Sequence, residues 1–371
     1  MTGANPASDR PLVSVIVPAR NEEVSLGACL ESLVAQTGVN KEIIVVDDGS
    51  TDRTHEIAAS FTSVRVIDPS PLPDGWTGKN NAVTAGAKVA QGEWLLFTDA
   101  DTVHRLGSLE RSLAEAKEKG ASLLSYSPKQ EACTFLEKAV MPLIFAELAL
   151  TYRPSEVSDP KSPVAAANGQ YILIAREAYD AVGGHSAIAM DLLEDVALAR
   201  LVKRSGRKIS FRFAADAVST RMYRSFAQLR EGWTKNLALL FSRPVELAAQ
   251  QFVVLLAVVF APAAAIYDML FFRNRPFPGD DWFHLYSLLV NVFAFMWGAW
   301  HLTRRIRMSH FPWSSFLFSV FGLPIFAYLL VRSDRSFKKA RVNWKNRSYV
   351  YSAEEIETLR AEITSANRSG T

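Results

Sequence analysis

The chain has 371 residues, 49% hydrophobic, 11% aromatic and 21% charged, which excludes a disordered tail, a collagen-like repeat and a disulfide framework. Lysine and arginine number 41 against 38 aspartate and glutamate, a net charge of +3, so no global basic field marks a nucleic-acid binder. Cys29 and Cys133 lie far apart without metal-ligand spacing and are expected as reduced thiols in a cytoplasmic-facing domain.

Residues 1–10 are polar and carry no apolar run, so neither a signal peptide nor a leading membrane helix is expected and the first domain should stay in the cytoplasm. From residue 11 to about 213, short apolar runs alternate with helical stretches. Strands are expected at 13–17, 42–46, 64–67, 94–98 and 121–126, and helices at 22–35, 51–59, 81–90 and 106–119. Such alternation predicts an α/β domain with a mainly parallel sheet covered by helices on both faces, and ligands bind such sheets at the carboxyl ends of their strands.

Three of those strand ends carry unusual polar residues. The first runs into Pro18-Ala19-Arg20-Asn21-Glu22, the second into Asp47-Asp48-Gly49-Ser50-Thr51-Asp52, and a later one into Asp99-Ala100-Asp101. Each reads alone as a turn or a helix cap. Their coincidence at one sheet edge points to a site, because carboxylates at i and i+2 can hold Mg²⁺ or Mn²⁺ while neighbouring groups hold a nucleotide.

A segment over 135–152 is apolar but interrupted by Glu137, Lys138, Pro142 and Glu147, which predicts an interfacial helix rather than a crossing. Over 226–244, Phe226, Leu229, Trp233, Leu237 and Leu240 share a face at helical spacing, predicting an amphipathic helix lying on the bilayer with Arg230 and Trp233 closing the site. Spans at 247–272, 282–303 and 311–331 each reach the roughly 20 residues that cross a bilayer, and Trp282, Trp297, Trp300 and Trp313 lie in or near the ends of the second and third, where aromatic anchors sit. Arg304, Arg305 and Arg307 precede the third span and Arg332, Arg335, Lys338 and Lys339 follow it. Both flanks therefore read as cytoplasmic, and Gly322 with Pro324 make the third span the candidate for a break. The stretch 332–371 is basic, then polar, with no function assigned.

The ordered set of motifs resembles glycosyltransferase family 2. It comprises the run from Val13 to Glu22, Asp47-Asp48-Gly49-Ser50-Thr51-Asp52, Gly78-Lys79-Asn80-Asn81-Ala82 with Gly86, Thr98-Asp99-Ala100-Asp101-Thr102, Asn168-Gly169-Gln170, Gly183-Gly184-His185 and Leu193-Glu194-Asp195-Val196. The resemblance covers roughly residues 11–240 and implies a GT-A nucleotide-diphospho-sugar-binding fold over 11–225, followed by C-terminal transmembrane helices over 245–331. It implies that Pro18, Arg20 and Glu22 frame the nucleotide, that Asp47 or Asp48 accepts a hydrogen bond from the base, uracil first, and that Asp99 lies near the ribose while Asp101 ligates a Mg²⁺ or Mn²⁺ bridging the diphosphate. Lys79 adds a cation. Asp195, beside Glu194, is the implied general base of an inverting displacement on an acceptor hydroxyl, with Gly169, Gln170 and His185 as acceptor-side groups, though a hydrogen-bonded structural histidine fits His185 better.

Many membrane-bound relatives carry Gln-x-x-Arg-Trp, whereas this chain reads Gln228-Leu229-Arg230-Glu231-Gly232-Trp233. That register disfavours processive polymer synthesis and favours a single transfer. The layout, with Gly75-Trp76-Thr77-Gly78-Lys79, is similar to bacterial enzymes that glycosylate hopanoids, carotenoids or related lipids. It implies a multi-pass protein of the inner membrane, taking a nucleotide-diphospho-sugar from the cytoplasm and a lipid acceptor from the bilayer. A polyprenyl-phosphate acceptor is the nearest rival, and a catalytically silent scaffold or sugar-nucleotide sensor is the alternative of another class. A transporter fits less well, because the spans lack internal symmetry and intramembrane charge.

Overall fold

The computed structural model describes residues 13–273, 281–339, 341–344 and 347–350. The expected N-terminal segment 1–10 and the tail beyond residue 350 lie outside them. In chain order the elements are β1 (Val13–Ala19), α1 (Leu26–Val34), β2 (Lys41–Asp47), α2 (Thr54–Ala59), β3 (Val64–Ile67), α3 (Gly78–Val89), β4 (Trp94–Phe97), β5 (Thr102–His104), α4 (Ser108–Glu118), β6 (Leu123–Ser127), β7 (Lys129–Gln130) and α5 (Phe135–Thr151). There follow α6 (Pro154–Ser158), β8 (Ile172–Ala175), α7 (Arg176–Ala181), a 3-10 turn at Gly184–Ile188, α8 (Glu194–Arg204), β9 (Ile209–Phe213) and β10 (Val218–Thr220). The helical part has α9 (Phe226–Leu240), α10 (Pro244–Leu255), a π-helical turn at Leu256–Phe260, α11 (Ala261–Arg273), α12 (Asp281–Met308) and α13 (Ser315–Lys338), then the hairpin β11 (Arg341–Trp344) and β12 (Arg347–Val350). The described residues divide into two compact units, 13–131 with 152–222, and 132–151 with 223–350.

The first unit is the α/β domain. Its seven-stranded sheet has the order β3-β2-β1-β4-β8-β6-β9. Strand β1 pairs in parallel with β2 and β4, β2 with β3, and β6 with β9, while β8 runs antiparallel to β4 and β6. The sheet is mainly parallel, as the alternating sequence predicts; only β8 reverses direction. Side chains alternate across β1 with a period of two. Val13, Val15 and Val17 join Leu26, Leu30 and Leu33 of α1 and Leu109 and Leu113 of α4 in one core. Ile16 faces the other way, where Gly86 of α3 sits so close that a methyl there would lie 2.5 Å from Ile16 Cγ2 and 3.0 Å from Val46 Cγ2. Glycine at that position lets a helix pack against the sheet backbone, so both faces are covered.

The second unit is helical. Three of its helical stretches, Pro244–Leu270, Leu285–Met308 and Ser315–Lys338, are long and apolar enough to cross a membrane. The aromatic side chains of Trp297, Trp300 and Trp313 are exposed on it; the side chain of Trp282 is outside the described set. Two expectations need correction. Helix α13 runs unbroken through Pro324, because a proline removes one backbone bond and kinks a helix without ending it when neighbours pack the surrounding turns. The irregularity falls in the first span instead, as the π-helical turn.

Helix α5 is the second correction. It is predicted inside the catalytic region as an interfacial helix, yet it belongs to the helical unit, with eleven of its residues, from Glu137 to Ala149, buried. Its polar interruptions have structural uses. Glu137 accepts from the backbone N–H of Cys133 at 2.6 Å and of Thr134 at 3.3 Å, while Thr134 Oγ1 accepts from Glu137 N at 3.3 Å, which is a capping box. Glu147 pairs with Arg305 at 2.7 Å and accepts from Gln251 Nε2 at 3.4 Å. Arg305, counted as a flanking cytoplasmic charge, is thus a buried ion-pair partner.

Candidate active site

The loops after β1 and β2 are stitched side by side at the carboxyl edge of the sheet. Asn21 adopts a left-handed conformation, φ 54°, and from there its side-chain oxygen accepts from Thr51 N at 2.8 Å while its N–H reaches Ser50 Oγ at 3.1 Å. Glu22 N donates to Thr54 Oγ1 at 2.7 Å, and Arg20 donates to the carbonyl of Asp48 at 2.6 Å with the Asp48 carboxylate 3.9 Å away. The predicted nucleotide group of Pro18, Arg20, Glu22, Asp47 and Asp48 therefore shares one edge. Asp47 is committed within its own loop: Oδ1 accepts from Ser50 N and Oγ, and Oδ2 stands 3.2 Å from His55 Nδ1.

Lys79 joins this edge to the later motifs. Its helix starts at a Thr77 cap, whose hydroxyl accepts from Asn80 N at 3.2 Å. The buried Asn80 amide donates to three carbonyls, those of Ile188, Ala189 and Asp191, at 2.7, 3.0 and 3.0 Å. This ties the start of α3 to the segment that leads into α8. From that anchored turn Lys79 Nζ reaches Asp99 Oδ1 and Glu194 Oε1, each at 2.6 Å. Burial works against its charge, but Asp99 and Glu194 outweigh it and hold the ammonium well above the usual lysine range.

Asp195 opens helix α8 beside Glu194. Its Oδ2 accepts from Gly169 N at 2.9 Å and its Oδ1 from Val196 N at 2.8 Å. A side chain at 169 would be tight, since a methyl would meet Lys79 Nζ at 3.0 Å and Glu194 Oε1 at 3.2 Å. Burial, and then the adjacent Glu194 charge, push the Asp195 carboxyl up to about 6, against the opposing pull of Lys79 and the two backbone N–H groups. A carboxylate poised near neutrality is suited to accept a proton.

The structure thus brings Lys79, Asp99, Gly169, Glu194 and Asp195 together. Asp101 follows Asp99 in a tight turn closed by Thr102 N to Asp99 O at 3.2 Å. Asp99 and Asp101 offer only hard oxygen donors, and one or two carboxylates with substrate phosphates are what Mg²⁺ or Mn²⁺ ordinarily takes. The two carboxylates are of the kind such an ion takes, and Asp99 shares its own with Lys79.

Other predicted residues have partners of their own. Gln170 is buried, donating to Thr220 Oγ1 and accepting from Gln130 Nε2, both at 3.3 Å. His185 is 2% exposed, with Nδ1 3.0 Å from the Tyr179 hydroxyl and its ring edge-on to Phe97; burial lowers it to about 4, so it is a neutral packing residue. Gln228, Arg230 and Trp233 lie in the helical unit. Gln228 accepts from Arg224 N at 2.9 Å while its own N–H reaches Ser225 Oγ at 3.2 Å, a helix cap. Arg230 is exposed. Trp233 is 2% exposed, packed edge-on to Phe145 and Tyr223 in its own unit's interior. Within the helical unit α9 buries Leu229, Trp233 and Leu237, so Trp233 is a core residue of that unit. Sequence reasoning assigned no task to Asn80 or Tyr179. The Thr-x-x-Asn spacing at 77–80 was the available signal for the first; nothing local pointed to the second.

A mainly parallel sheet carries these loops and the Lys79 carboxylate cluster at its carboxyl edge. Residues 14–183 match the model of glycosyl transferase family 2. Over 234 residues the chain is 32% identical to a 4,4'-diaponeurosporenoate glycosyltransferase of Staphylococcus aureus, a match covering 61% of this chain and 60% of that relative's length. Among solved structures it is similar to a mannosyltransferase from Pyrobaculum calidifontis in complex with GDP-Man and Mn²⁺, at 17% identity and TM-score 0.49, covering 90% of this chain and 88% of the other. Glucosyl-3-phosphoglycerate synthase from Mycobacterium tuberculosis in complex with Mg²⁺ and UDP is similar at 21% identity and TM-score 0.40, covering 60% and 75%.

Proposed function

We propose that this chain is an inverting glycosyltransferase that moves a sugar from a nucleotide-diphospho-sugar, a UDP-sugar first, to a hydroxyl of a lipid held in the bacterial inner membrane, with the catalytic domain in the cytoplasm. The observation that carries the reading is the Asp195 carboxylate, fixed by two backbone N–H groups next to the Lys79–Asp99–Glu194 cluster. An acceptor hydroxyl is a weak nucleophile at neutral pH. Asp195 takes its proton as the acceptor oxygen bonds to the anomeric carbon; the bond from that carbon to the diphosphate oxygen breaks, and the nucleoside diphosphate leaves. One displacement inverts the anomeric centre. Glu194 keeps Asp195 basic through like-charge repulsion, and Lys79 fixes both Glu194 and Asp99 while adding positive charge beside the diphosphate. Asp101, with Asp99 beside it, would hold a divalent ion, which would supply further positive charge to the departing diphosphate. The three apolar helices and the Staphylococcus relative, named for a carotenoid acceptor, support a lipid as the acceptor.

The test is turnover in detergent with a panel of UDP-sugars, Mg²⁺ or Mn²⁺ and total bacterial lipid extract, comparing the intact chain with Asp195→Asn. A mass-shifted lipid that disappears in the variant is expected. Product formation unchanged by the substitution means an acceptor already ionised, a polyprenyl phosphate or a carboxylate, which has no need of a base. Donor binding without any transfer means a sensor.

A further inference from the structure

The helical unit carries a second polar feature with no task in sugar transfer. At the end of α13, Tyr328, Val331, Arg332, Arg335, Ser336 and Lys339 line a cavity of about 300 Å³ together with Thr234 from α9. We propose that this cavity binds the phosphate headgroup of an anionic membrane lipid.

Its walls are held in place. Ser333 of α13 donates to the Thr234 carbonyl at 2.7 Å and accepts from Ala238 N at 2.9 Å, locking the two helices beside the cavity. Three cations converge on it from one helix end, and among the described residues no carboxylate pairs with Arg332, Arg335 or Lys339. Arg332 instead reaches the Tyr328 hydroxyl at 3.5 Å. The neighbouring Lys338 is different: it pairs with Asp334 at 2.7 Å and does not line the cavity. Complementing the helix dipole accounts for cations in the last turn, but Arg332 lies well before it, and a dipole does not require hydroxyls from two helices around the same space. Guanidinium groups recognise phosphate oxygens through paired N–H donors, and hydroxyls complete the set. The cavity terminates a helix long and apolar enough to cross a membrane, which places it at headgroup depth, where basic pockets between helices take anionic lipid headgroups.

The full chain, purified in neutral detergent, is titrated with phosphatidylglycerol and with phosphatidylcholine, and bound lipid is counted by native mass spectrometry. Phosphatidylglycerol is expected to be retained selectively. The double variant Arg332→Gln/Arg335→Gln is expected to weaken it about 25-fold, at roughly fivefold per cation near an anionic headgroup. Lys338→Gln is expected to match the unsubstituted chain, and Arg332→Lys/Arg335→Lys, which keeps the charge but loses the paired N–H donors, to bind more weakly than the unsubstituted chain and more tightly than the double glutamine variant, which separates lost charge from lost folding. Equal retention of both lipids overturns the proposal, as does a Lys338→Gln loss equal to that of the double variant. Inorganic phosphate that displaces the lipid at equal concentration would make this a free-phosphate site and overturn the lipid assignment. The readout is lipid binding alone, so it stands or falls apart from the transferase reading.

Discussion

At the scale of single residues, Asp195 joins activity and stability with opposite signs. Its carboxyl sits raised, near 6, by burial and by Glu194, so its basic form prevails above that pH. The ratio kcat/KM is expected to fall about tenfold per pH unit below 6, and Asp195→Asn to lower kcat by 10²–10⁴ across the whole range. The stability sign is the reverse. A folded value above the unfolded one favours the fold at low pH, and this contribution is lost as pH rises through about 6. Asp195→Asn should remove turnover and flatten the pH dependence of Tm around pH 6, while its amide NH2, facing one of the two backbone N–H donors, costs some Tm at every pH; a pH dependence of Tm unchanged by the substitution would contradict the assigned environment. Gly169→Ala tests the same cluster by geometry. Its methyl would crowd Lys79 Nζ and Glu194 Oε1, and displacement by a few tenths of an ångström is expected to cost at least about tenfold in kcat, measured with the donor saturating. All five members of this cluster were visible as sequence motifs. Their contacts were not, because Lys79, Asp99, Gly169 and Glu194 come from separate segments that only the sheet edge brings together.

At the scale of elements, helix ends and helix faces explain which readings of the chain changed. Gln228 opens the motif that departs from Gln-x-x-Arg-Trp, and its side chain accepts from Arg224 N at the start of α9, where Ser225 is the cap. Gln228→Ala should cost about 0.5–1.5 kcal/mol of stability with kcat within twofold of the unsubstituted chain; a large kcat loss at unchanged Tm would give it a task at the site. Gly86 is the opposite case, a motif residue whose use is packing. Gly86→Ala places a methyl against Ile16 and Val46, and about 1–3 kcal/mol of destabilisation is expected from overpacking, read from thermal unfolding. Strands β1, β2 and β4 were legible because both faces of a parallel sheet are buried and the runs are mostly apolar, and the edge strand β3 because Val64, Val66 and Ile67 are β-branched. The reversed strand β8 was not, since a four-residue run such as Ile172–Ala175 has no local mark of direction.

At the scale of the whole molecule, each unit rests on its own interior. In the helical unit the buried Glu147–Arg305 pair joins α5 to α12. Breaking it from one side leaves an uncompensated buried charge, so Arg305→Met should cost about 3–5 kcal/mol. Replacing both partners with apolar residues of similar volume, as in Glu147→Leu/Arg305→Met, should recover most of that loss, and Tm in detergent distinguishes the two outcomes. The sequence by itself determined the α/β class, the order of motifs and the three apolar spans, since those depend on periodicity, composition and residue identity along the chain. Only the tertiary structure decided that α5 is an interior helix, that Trp233 is core, and that Lys79 bridges Asp99 and Glu194. Burial and pairing depend on which surfaces meet across long separations, as when residue 147 finds residue 305, and no local pattern encodes that meeting.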